Sequence, residues 1–489
     1  MAGKSEKEKK TQEGITAKKD TDFSEWYIQS IIKGGFVDYT AVSGCLAFRP
    51  DGYFAWEVLM RATDAHFKEI GIQNVYFPLF IPERFLNKEK EHVEGFSPEV
   101  AWVTHTGESE LEERLAVRPT SETIMYDSFA KWIRSWRDLP MRLNQWNNVV
   151  RWEFKHPVPL LRSREFLWNE GHTVFATEEE AELEREVVLG IYAKVLKDVL
   201  AISGIVGRKT ESEKFAGAIA TFSIEHVIPG GKIVQGPDFH LDGQNFAKAF
   251  GISFIDKDEK KKYAYQNTFA ITTRELGAMA AIHGDDKGLV LPPKVARIQV
   301  VIVPIYKDEN RTEVLKAADT LNMKLGEAGT RTFLDAREAY SPGWKFNEWE
   351  MKGVPVRIEL GARELREGKA VATRRDTGAK ISIDMNGIEE KIAGLLEEIQ
   401  EDLYKKAQKF LADSIHVAKT YDELKKIGDE KGGLIQVVWC GDANEEAKIK
   451  EETGFKTSNM PLDMQKDVKG KCFYCGKEGK HVVNFGRAY

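Results

Sequence analysis

Cysteine is scarce in this chain: four residues among 489. So few thiols cannot staple a chain of this length, which excludes a disulfide-scaffolded domain. Long apolar runs are missing too. No stretch approaches the roughly 20 consecutive apolar residues that span a bilayer, which excludes an integral membrane protein of the helical kind. The opening segment, MAGKSEKEKKTQEGITAKKD, has no apolar core and is not expected to act as a secretory signal. Residues 1–20 are expected to form a disordered tail. Positive charge is not in excess: 71 Lys and Arg face 77 Asp and Glu, a formal net charge of −6. That balance argues against coating nucleic acid through bulk charge, and leaves a local basic face open. Internal repeats and long low-complexity segments are absent as well. Apolar material is ample, at 42% hydrophobic against 30% charged, enough for sizeable cores. Length suggests roughly three domains of about 100–200 residues each. A cytoplasmic enzyme or multi-domain binding protein is the expectation.

From Phe23 to about Val295 the chain is dense in aromatics. Its clearest helix opens at Thr177-Glu178-Glu179-Glu180, a capping-box pattern. Leu183, Val187, Ile191, Val195, Leu196 and Val199 recur at helical spacing and are expected to face a core. Near Arg297 the pattern changes. Ile298 to Ile305 is a near-continuous apolar run, as in a strand covered on both faces. An amphipathic helix follows with Val314, Leu315, Ala318, Leu321 and Leu325, then strand candidates at Val354–Leu360 and Lys369–Arg374. This alternation predicts a small α/β domain. A charged helix over about Gly387–Ala412 leads into a segment holding three of the four cysteines.

The stretch Val150 to Thr173 carries the strongest chemical signal. Arg151 and Glu153 alternate, as they would on one face of a strand. A Pro-rich turn follows, and the chain returns with Arg162, Arg164, Glu165 and Phe166. Arginine forks suit phosphate oxygens and a carboxylate can accept from an exocyclic amine. An exposed lattice of ion pairs would use the same residues. A second constellation is Arg118-Pro119-Thr120-Ser121-Glu122. Thr120 and Glu122 can present a hydroxyl and a carboxylate to an ammonium group, and Thr120 or Ser121 can equally open a helix as its N-cap.

Arg-x-Glu, a loop, then Arg-x-x-x-Phe resembles motif 2 of the class II aminoacyl-tRNA synthetases. RWEFKHP and REFLW…EGHT are similar to the prolyl-tRNA synthetase family in particular, of the archaeal/eukaryotic-like type. Gly71 to Pro78, after an amphipathic helix, resembles the dimer-interface motif 1, and His283 to Lys294 resembles motif 3. The resemblance implies an antiparallel-sheet catalytic domain over 21–295, an α/β anticodon-binding domain over 296–400 and a small α/β zinc-type module over 401–489. The fold class is thus α+β. The interval from Phe166 to His283 leaves no room for a large inserted editing domain.

The resemblance also implies the activity: ATP-dependent ligation of L-proline to tRNA(Pro) through prolyl-adenylate, with Mg²⁺, in a cytoplasmic homodimer. It implies Thr120 and Glu122 for the ammonium of proline, and Trp168, Glu170, His172 and Phe215 around its ring. Arg151 is expected at the α-phosphate and the proline carboxylate, Glu153 at adenine and Arg162 at the outer phosphates. Gln235, Thr272 and Arg274 are expected near the nucleotide. The family commonly ends motif 3 with Arg; this chain has Lys294, and Arg297 stands three residues on. Met351 to Lys380 holds eight Lys/Arg and four Asp/Glu, a net +4, and resembles the anticodon-binding domain. Glu359 and Arg363 are candidates for reading bases, with Lys369, Arg374 and Arg375 nearer the RNA backbone.

Cys472-Phe473-Tyr474-Cys475 has knuckle spacing, and Cys440 lies upstream. This set fits structural zinc better than redox chemistry. Related synthetases often place a second Cys five residues after the first; here that position is Glu445. Either the carboxylate completes a tetrahedron or zinc is bound weakly or not at all. Cys45 is expected as a core thiol. Two rival readings remain: another class IIa synthetase, such as one for threonine, with zinc ligands in its catalytic domain, and a catalytically silent tRNA-binding relative.

Overall fold

The computed structural model describes residues 14–92, 99–153 and 155–489. They fall into two units. One holds Tyr39–Ala47, Trp56–Ile282 and Leu403–Tyr489; the other holds residues up to Asp38, Phe48–Ala55 and His283–Asp402.

A 12-stranded sheet organises the first unit. Its strands are β1 (Gln73–Asn74), β2 (Met141–Val150), β3 (Glu165–Phe175), β4 (Ile205–Arg208), β5 (Ala220–Ile228), β6 (Lys232–Gly243) and β7 (Tyr265–Ala270). The C-terminal part adds β8 (Ile415–Val417), β9 (Leu434–Trp439), β10 (Lys456–Thr457), β11 (Met460–Pro461) and β12 (His481–Ala488). The main path runs β8-β9-β12-β6-β7-β3-β2-β1, with β5 pairing β6 and β4, β11 pairing β4, and β10 pairing β12. The central pairs β2–β3, β3–β7, β7–β6 and β6–β5 are antiparallel.

The C-terminal strands join the central ones twice. Lys232 and Ile233 of β6 pair in parallel with Arg487 and Ala488 of β12. Met460 and Pro461 of β11 pair with Arg208 and Gly207 of β4. The Tyr489 amide then donates to the Ile233 carbonyl at 2.9 Å. The first junction is parallel and the second antiparallel, and each sets the register of its two partners.

Aromatic rings close one face of the sheet. Phe269 stacks on Phe239 with centroids 5.7 Å apart and meets Phe67 edge-on at 5.5 Å. Phe67 comes from helix α1 (Pro50–Glu69), and Tyr192, 5.9 Å from Phe67, from helix α3 (Glu178–Asp198). Elsewhere, helix α2 (Glu122–Trp132) carries the buried Met125, Tyr126 and Phe129, and Tyr126 meets the His172 ring edge-on at 5.7 Å. Gly171 lies against this layer; a Cβ there would sit 1.9 Å from the Phe269 ring.

Helix α3 starts as expected, with the Thr177 hydroxyl accepting from the Glu180 amide at 3.3 Å. Its C-terminal half is buried as expected, at Val195, Leu196 and Val199, but its first half is not. Leu183 is 67% exposed and Val187 45% exposed, while Ala181, Glu184, Val188, Leu189 and Tyr192 are buried. Glu184 goes inside because Thr173 donates to it, Asn267 donates at 3.0 Å and Arg142 stands 3.3 Å away. Polar partners add Glu184 to a face that is otherwise apolar.

The second unit has a five-stranded sheet in the order Thr332–Leu334, Val300–Ile305, Val356–Gly361, Lys369–Arg374, Lys380–Asp384. The first three strands are parallel and the last two antiparallel. Val300 to Val303 are fully buried, as the apolar run predicts. Helix Arg311–Glu327 buries Val314, Ala318, Leu321 and Leu325. Residues 1–13 of the expected tail lie outside the described residues. From Gly14 the chain is held: the Thr16 amide donates to Gln29 at 2.8 Å and the Lys19 amide to Asp286 at 2.9 Å. Among the described residues no helix is long and apolar enough to cross a membrane.

Candidate active site

Period-two alternation on four strands builds a cavity of about 310 Å³ on the sheet of the first unit. On β3, Phe166, Trp168, Glu170 and His172 point into it. The register then crosses the sheet: His172 pairs with Thr268, Thr268 with His240, and His240 with Thr221. All four line the cavity. Of the residues expected from the sequence, Thr120, Glu122, Arg151, Trp168, Glu170, His172, Phe215, Gln235, Thr272 and Arg274 line it as well.

One end holds two buried carboxyls whose pKa values are displaced in opposite directions. Glu170 accepts from the Ser121 amide at 2.8 Å, the Ser121 hydroxyl at 2.7 Å and Asn147 at 2.6 Å. Burial pushes its pKa up, but His172 and these donors outweigh it, so the carboxyl is held below its usual range. Glu122 is pushed up by burial, with His172 opposing and the nearby Glu170 charge adding to the rise. The Thr120 hydroxyl donates to it. Glu170 is thus committed to the fold, whereas Glu122 gains most from a cation. Ser121 occupies the N-cap position of α2 without capping it, because its hydroxyl serves Glu170.

Arg118 fixes this corner from behind. It is 2% exposed and donates to the Asn148 carbonyl at 2.8 Å and the Phe77 carbonyl at 3.0 Å. The His240 pKa is lowered by burial, with Asp238 opposing, which keeps the imidazole neutral near pH 7. Its ring stacks on Phe215 with centroids 4.6 Å apart.

The other end is cationic. Arg151 donates to the Pro119 carbonyl at 3.0 Å and lies over Phe166 and Trp168, 5.5 and 5.2 Å from their centroids. Arg274 donates to the carbonyls of Leu161 and Gln235, both at 3.2 Å. Leu160, between the Pro-rich turn and Leu161, adopts φ +63°, a left-handed conformation that costs a non-glycine residue about 1–2 kcal/mol. Gly236 needs its missing side chain, since a Cβ would meet the His226 ring at 2.5 Å.

Two expected residues are placed differently. Arg151 and Glu153 do not alternate on a strand, because β2 ends at Val150. The Arg151 amide still reaches the Arg164 carbonyl at 2.7 Å, but the Trp152 amide turns to Glu99 at 3.1 Å, taking the chain off the ladder. Glu153 is exposed in the turn that follows and does not line the cavity. Arg162 is exposed on the return turn, where its amide and carbonyl both pair with Val158 at 2.9 Å. The expected list also missed Ser163, Phe166, Glu213, Thr221, Asp238, His240 and Thr268, all of which line the cavity. Continuing the alternation from Gly236 would have found Asp238 and His240.

Comparison with known proteins decides the family. Residues 103–283 match the tRNA synthetase class II core domain (G, H, P, S and T), 299–395 the anticodon binding domain and 421–489 the prolyl-tRNA synthetase C-terminal domain. The proline--tRNA ligase of Symbiobacterium thermophilum is 49% identical over 477 residues, covering 96% of this chain and 97% of the relative. The chain belongs to the prolyl-tRNA synthetase family. The family's proline--tRNA ligase from Cenarchaeum symbiosum is 46% identical, covering 97% of this chain and 99% of the relative. A crystal structure of prolyl-tRNA synthetase from Cryptosporidium parvum, complexed with halofuginone and AMPPNP, superposes with a TM-score of 0.93. It is 45% identical, covering 98% of this chain and 100% of that one. The fold is therefore a class II synthetase catalytic domain followed by anticodon-binding and C-terminal domains.

In this family member the remaining expected residues lie as follows. Lys294 and Arg297 belong to the second unit. Arg297 is tied to Asp51 at 2.5 Å, whereas Lys294 has Glu397 only at 3.9 Å, and both basic side chains are exposed. Glu359 accepts from Arg357 at 3.0 Å and from Thr373 and Lys380 at 3.1 Å. Arg363 is exposed beside Glu367. Arg374 and Arg375, expected near an RNA backbone, are instead interior. Arg374 pairs with Asp376, Glu398 and Asp402 at 2.6–2.7 Å, and Arg375 grips Asp285 with both nitrogens at 2.6 and 2.7 Å. Such forks leave no free donor face for phosphate. Cys45 is half-buried rather than a core thiol.

Cys440, Glu445, Cys472 and Cys475 converge, with their ligand atoms all within 4.8 Å of one another. Glu445 Oε2 is 3.2 Å from Cys440 Sγ and 3.5 Å from Cys472 Sγ, and the Cys475–Cys440 sulfur separation is 3.8 Å. Tetrahedral zinc with Zn–S of about 2.3 Å and Zn–O of about 2.0 Å gives edges of about 3.8 Å (S···S) and 3.5 Å (S···O). The donor set fits. Burial and the Glu445 carboxylate push Cys440 up to about 12, so a cation is needed to ionise it.

Proposed function

We propose that the chain ligates L-proline to tRNA(Pro) in two steps, with MgATP as co-substrate. The carrying observation is the polarity of one cavity: Thr120 and Glu122 at one end, Arg151 and Arg274 at the other. A zwitterion bound to a triphosphate needs that order of charges. In the first step a proline carboxylate oxygen attacks the α-phosphorus and the bond to the pyrophosphate leaving group breaks. In the second, a ribose hydroxyl of the terminal adenosine attacks the activated carbonyl and AMP leaves. Neither step needs a protein nucleophile; positioning and charge stabilisation supply the acceleration.

Thr120 and Glu122 take the secondary ammonium. Trp168, Glu170, His172 and Phe215 shape the slot for the ring. Arg151 spans the proline carboxylate and the α-phosphate. Gln235, Thr272 and Arg274 hold the nucleotide, Arg162 the outer phosphates, Glu153 the adenine amine, and Lys294 serves as the motif 3 cation. Mg²⁺ bound to ATP would neutralise phosphate charge. Glu359 and Arg363 read anticodon bases. Cys440, Glu445, Cys472 and Cys475 would hold a structural Zn²⁺, which would staple the C-terminal module. We read the domains as 21–295, 296–400 and 401–489, and the working form as a cytoplasmic homodimer through motif 1, where Tyr76 is 73% exposed.

The test is pyrophosphate exchange into ATP with each amino acid in turn. Proline-dependent exchange is expected. Exchange with threonine instead, or with no amino acid, would overturn the reading.

A further inference from the structure

The loop from Lys209 to Gly217 forms one wall of the cavity, and its anchors come from the C-terminal module. Glu213 and Phe215 line the cavity. The Phe215 amide donates to the Thr221 hydroxyl at 2.9 Å, which sets its ring against His240. The first half of the loop is gripped by Glu446, which lies in the first turn of helix α4 (Ala443–Thr453). Thr210 donates to Glu446 Oε1 at 2.8 Å, Ser212 donates to Oε2, and Thr457 donates to Oε1. Three hydroxyls on one carboxylate, 5% exposed, satisfy a group that would otherwise be costly to bury. Two further links lie alongside. Lys209 donates to the Ser458 carbonyl at 2.8 Å, and Lys450 of α4 stands 3.3 Å from Glu213.

The residue before Glu446 is Glu445, whose carboxylate faces the three thiols. One helical turn therefore points one carboxylate at the thiol cluster and the next at the active-site loop. Asp442 caps this turn, accepting from the Asn444 amide at 2.9 Å.

We propose that Glu446 is a positioning residue for the amino-acid pocket: through Thr210 and Ser212 it sets the loop carrying Glu213 and Phe215. The state of the Cys440–Glu445–Cys472–Cys475 cluster reaches the pocket through the same turn. The inference rests on the proline-ligase reading. A staple that merely stabilises the fold would alter the active fraction and leave KM alone; a positioning residue moves the KM for the substrate whose wall it holds.

Full-length Glu446→Ala, Glu446→Gln, Ser212→Ala and Lys450→Ala are compared with the parent chain in pyrophosphate exchange. Glu446→Ala is expected to raise the KM for proline about tenfold or more, as expected for loss of hydrogen bonds to a charged group, with the KM for ATP unchanged. Glu446→Gln restores part of the affinity. Lys450→Ala, which removes only a half-exposed link, raises the proline KM about twofold. Hydrogen exchange should speed up across residues 209–217 in Glu446→Ala and in chelator-stripped parent protein, and calorimetry should show weaker proline binding in both. If Glu446→Ala fails to fold, Ser212→Ala and Lys450→Ala decide by the same KM criterion. An unchanged proline KM in folded variants, or equal rises for proline and ATP, overturns the inference. Unchanged loop exchange after chelation overturns the link to the cluster. A parent chain without proline-dependent exchange fails the functional reading instead, and loop exchange in Glu446→Ala still judges the positioning role.

Discussion

Glu122 and Glu170 share one corner of the cavity, yet their surroundings push their pKa values apart. Glu170 is ionised and spent on Ser121 and Asn147; Glu122 is the carboxyl left for substrate. A glutamate ordinarily titrates near 4.5 and Glu122 is raised above that, so kcat/KM for proline should fall as pH drops through the raised value. Glu122→Gln should lower kcat/KM for proline by about a hundredfold or more and flatten that limb, with the ATP KM unchanged. A pH–rate series on both proteins checks this; a variant with near-parent proline kinetics would contradict it. At motif 3, Lys294→Ala should raise the ATP KM more than Arg297→Ala, because Arg297 is already engaged by Asp51. Steady-state kinetics showing the reverse order would contradict that. At this scale the legible residues were those set by short-range spacing. Thr120, Glu122, Arg151 and Trp168 sit in local motifs and all reach the cavity. Glu153 does not, since a single amide, that of Trp152, leaves the ladder. Asp238 and His240 follow only if the alternation is carried on along β6 from Gly236, and Glu213 belongs to no motif the sequence displays; a distant helix holds its loop.

Strand β6 shows what an element asks of its residues. Asp242 is buried with neither oxygen hydrogen-bonded in good geometry, and burial raises its pKa well above 3.8, with Glu122 adding to the rise. Unfolded, the same carboxyl ionises near its ordinary value. Protonation therefore favours the folded state, and this contribution is lost as pH rises from the unfolded toward the folded pKa. Asp242→Asn should raise Tm by a few degrees at pH 8 and give no gain near pH 4, checked by thermal unfolding at both. Equal Tm values at pH 8 would contradict it. Helix α3 illustrates the limit of periodicity. Its start was legible from Thr177 and the glutamates after it. Its buried face was legible only in the second half, at Val195, Leu196 and Val199; in the first half Glu184 is drawn inside by Thr173, Asn267 and Arg142 while Leu183 stays outside. The strand Val300–Ile305 needed no such partner, and its apolar run read directly.

Across the whole molecule, a formal charge of −6 averages over regions with different tasks. The basic stretch around Met351–Lys380 looked like one RNA-facing surface, but Arg374 and Arg375 are consumed by interior carboxylates. Charge counts do not distinguish a guanidinium that faces solvent from one that holds a fold together. The cysteine count proved more informative. Three of the four thiols meet Glu445 in one cluster, with their ligand atoms within 4.8 Å of one another. Purified protein should retain about one equivalent of zinc, with Glu445→Ala losing it to chelator faster and Glu445→Cys holding it longer. Less than about half a tightly bound equivalent, by metal analysis, would count against a zinc site. The central claim concerns the product itself. Full-length protein should transfer labelled proline from proline and MgATP onto tRNA(Pro), giving a base-labile ester at the terminal adenosine. No ester with proline, alongside an ester with another amino acid or stable charging by none, would contradict it.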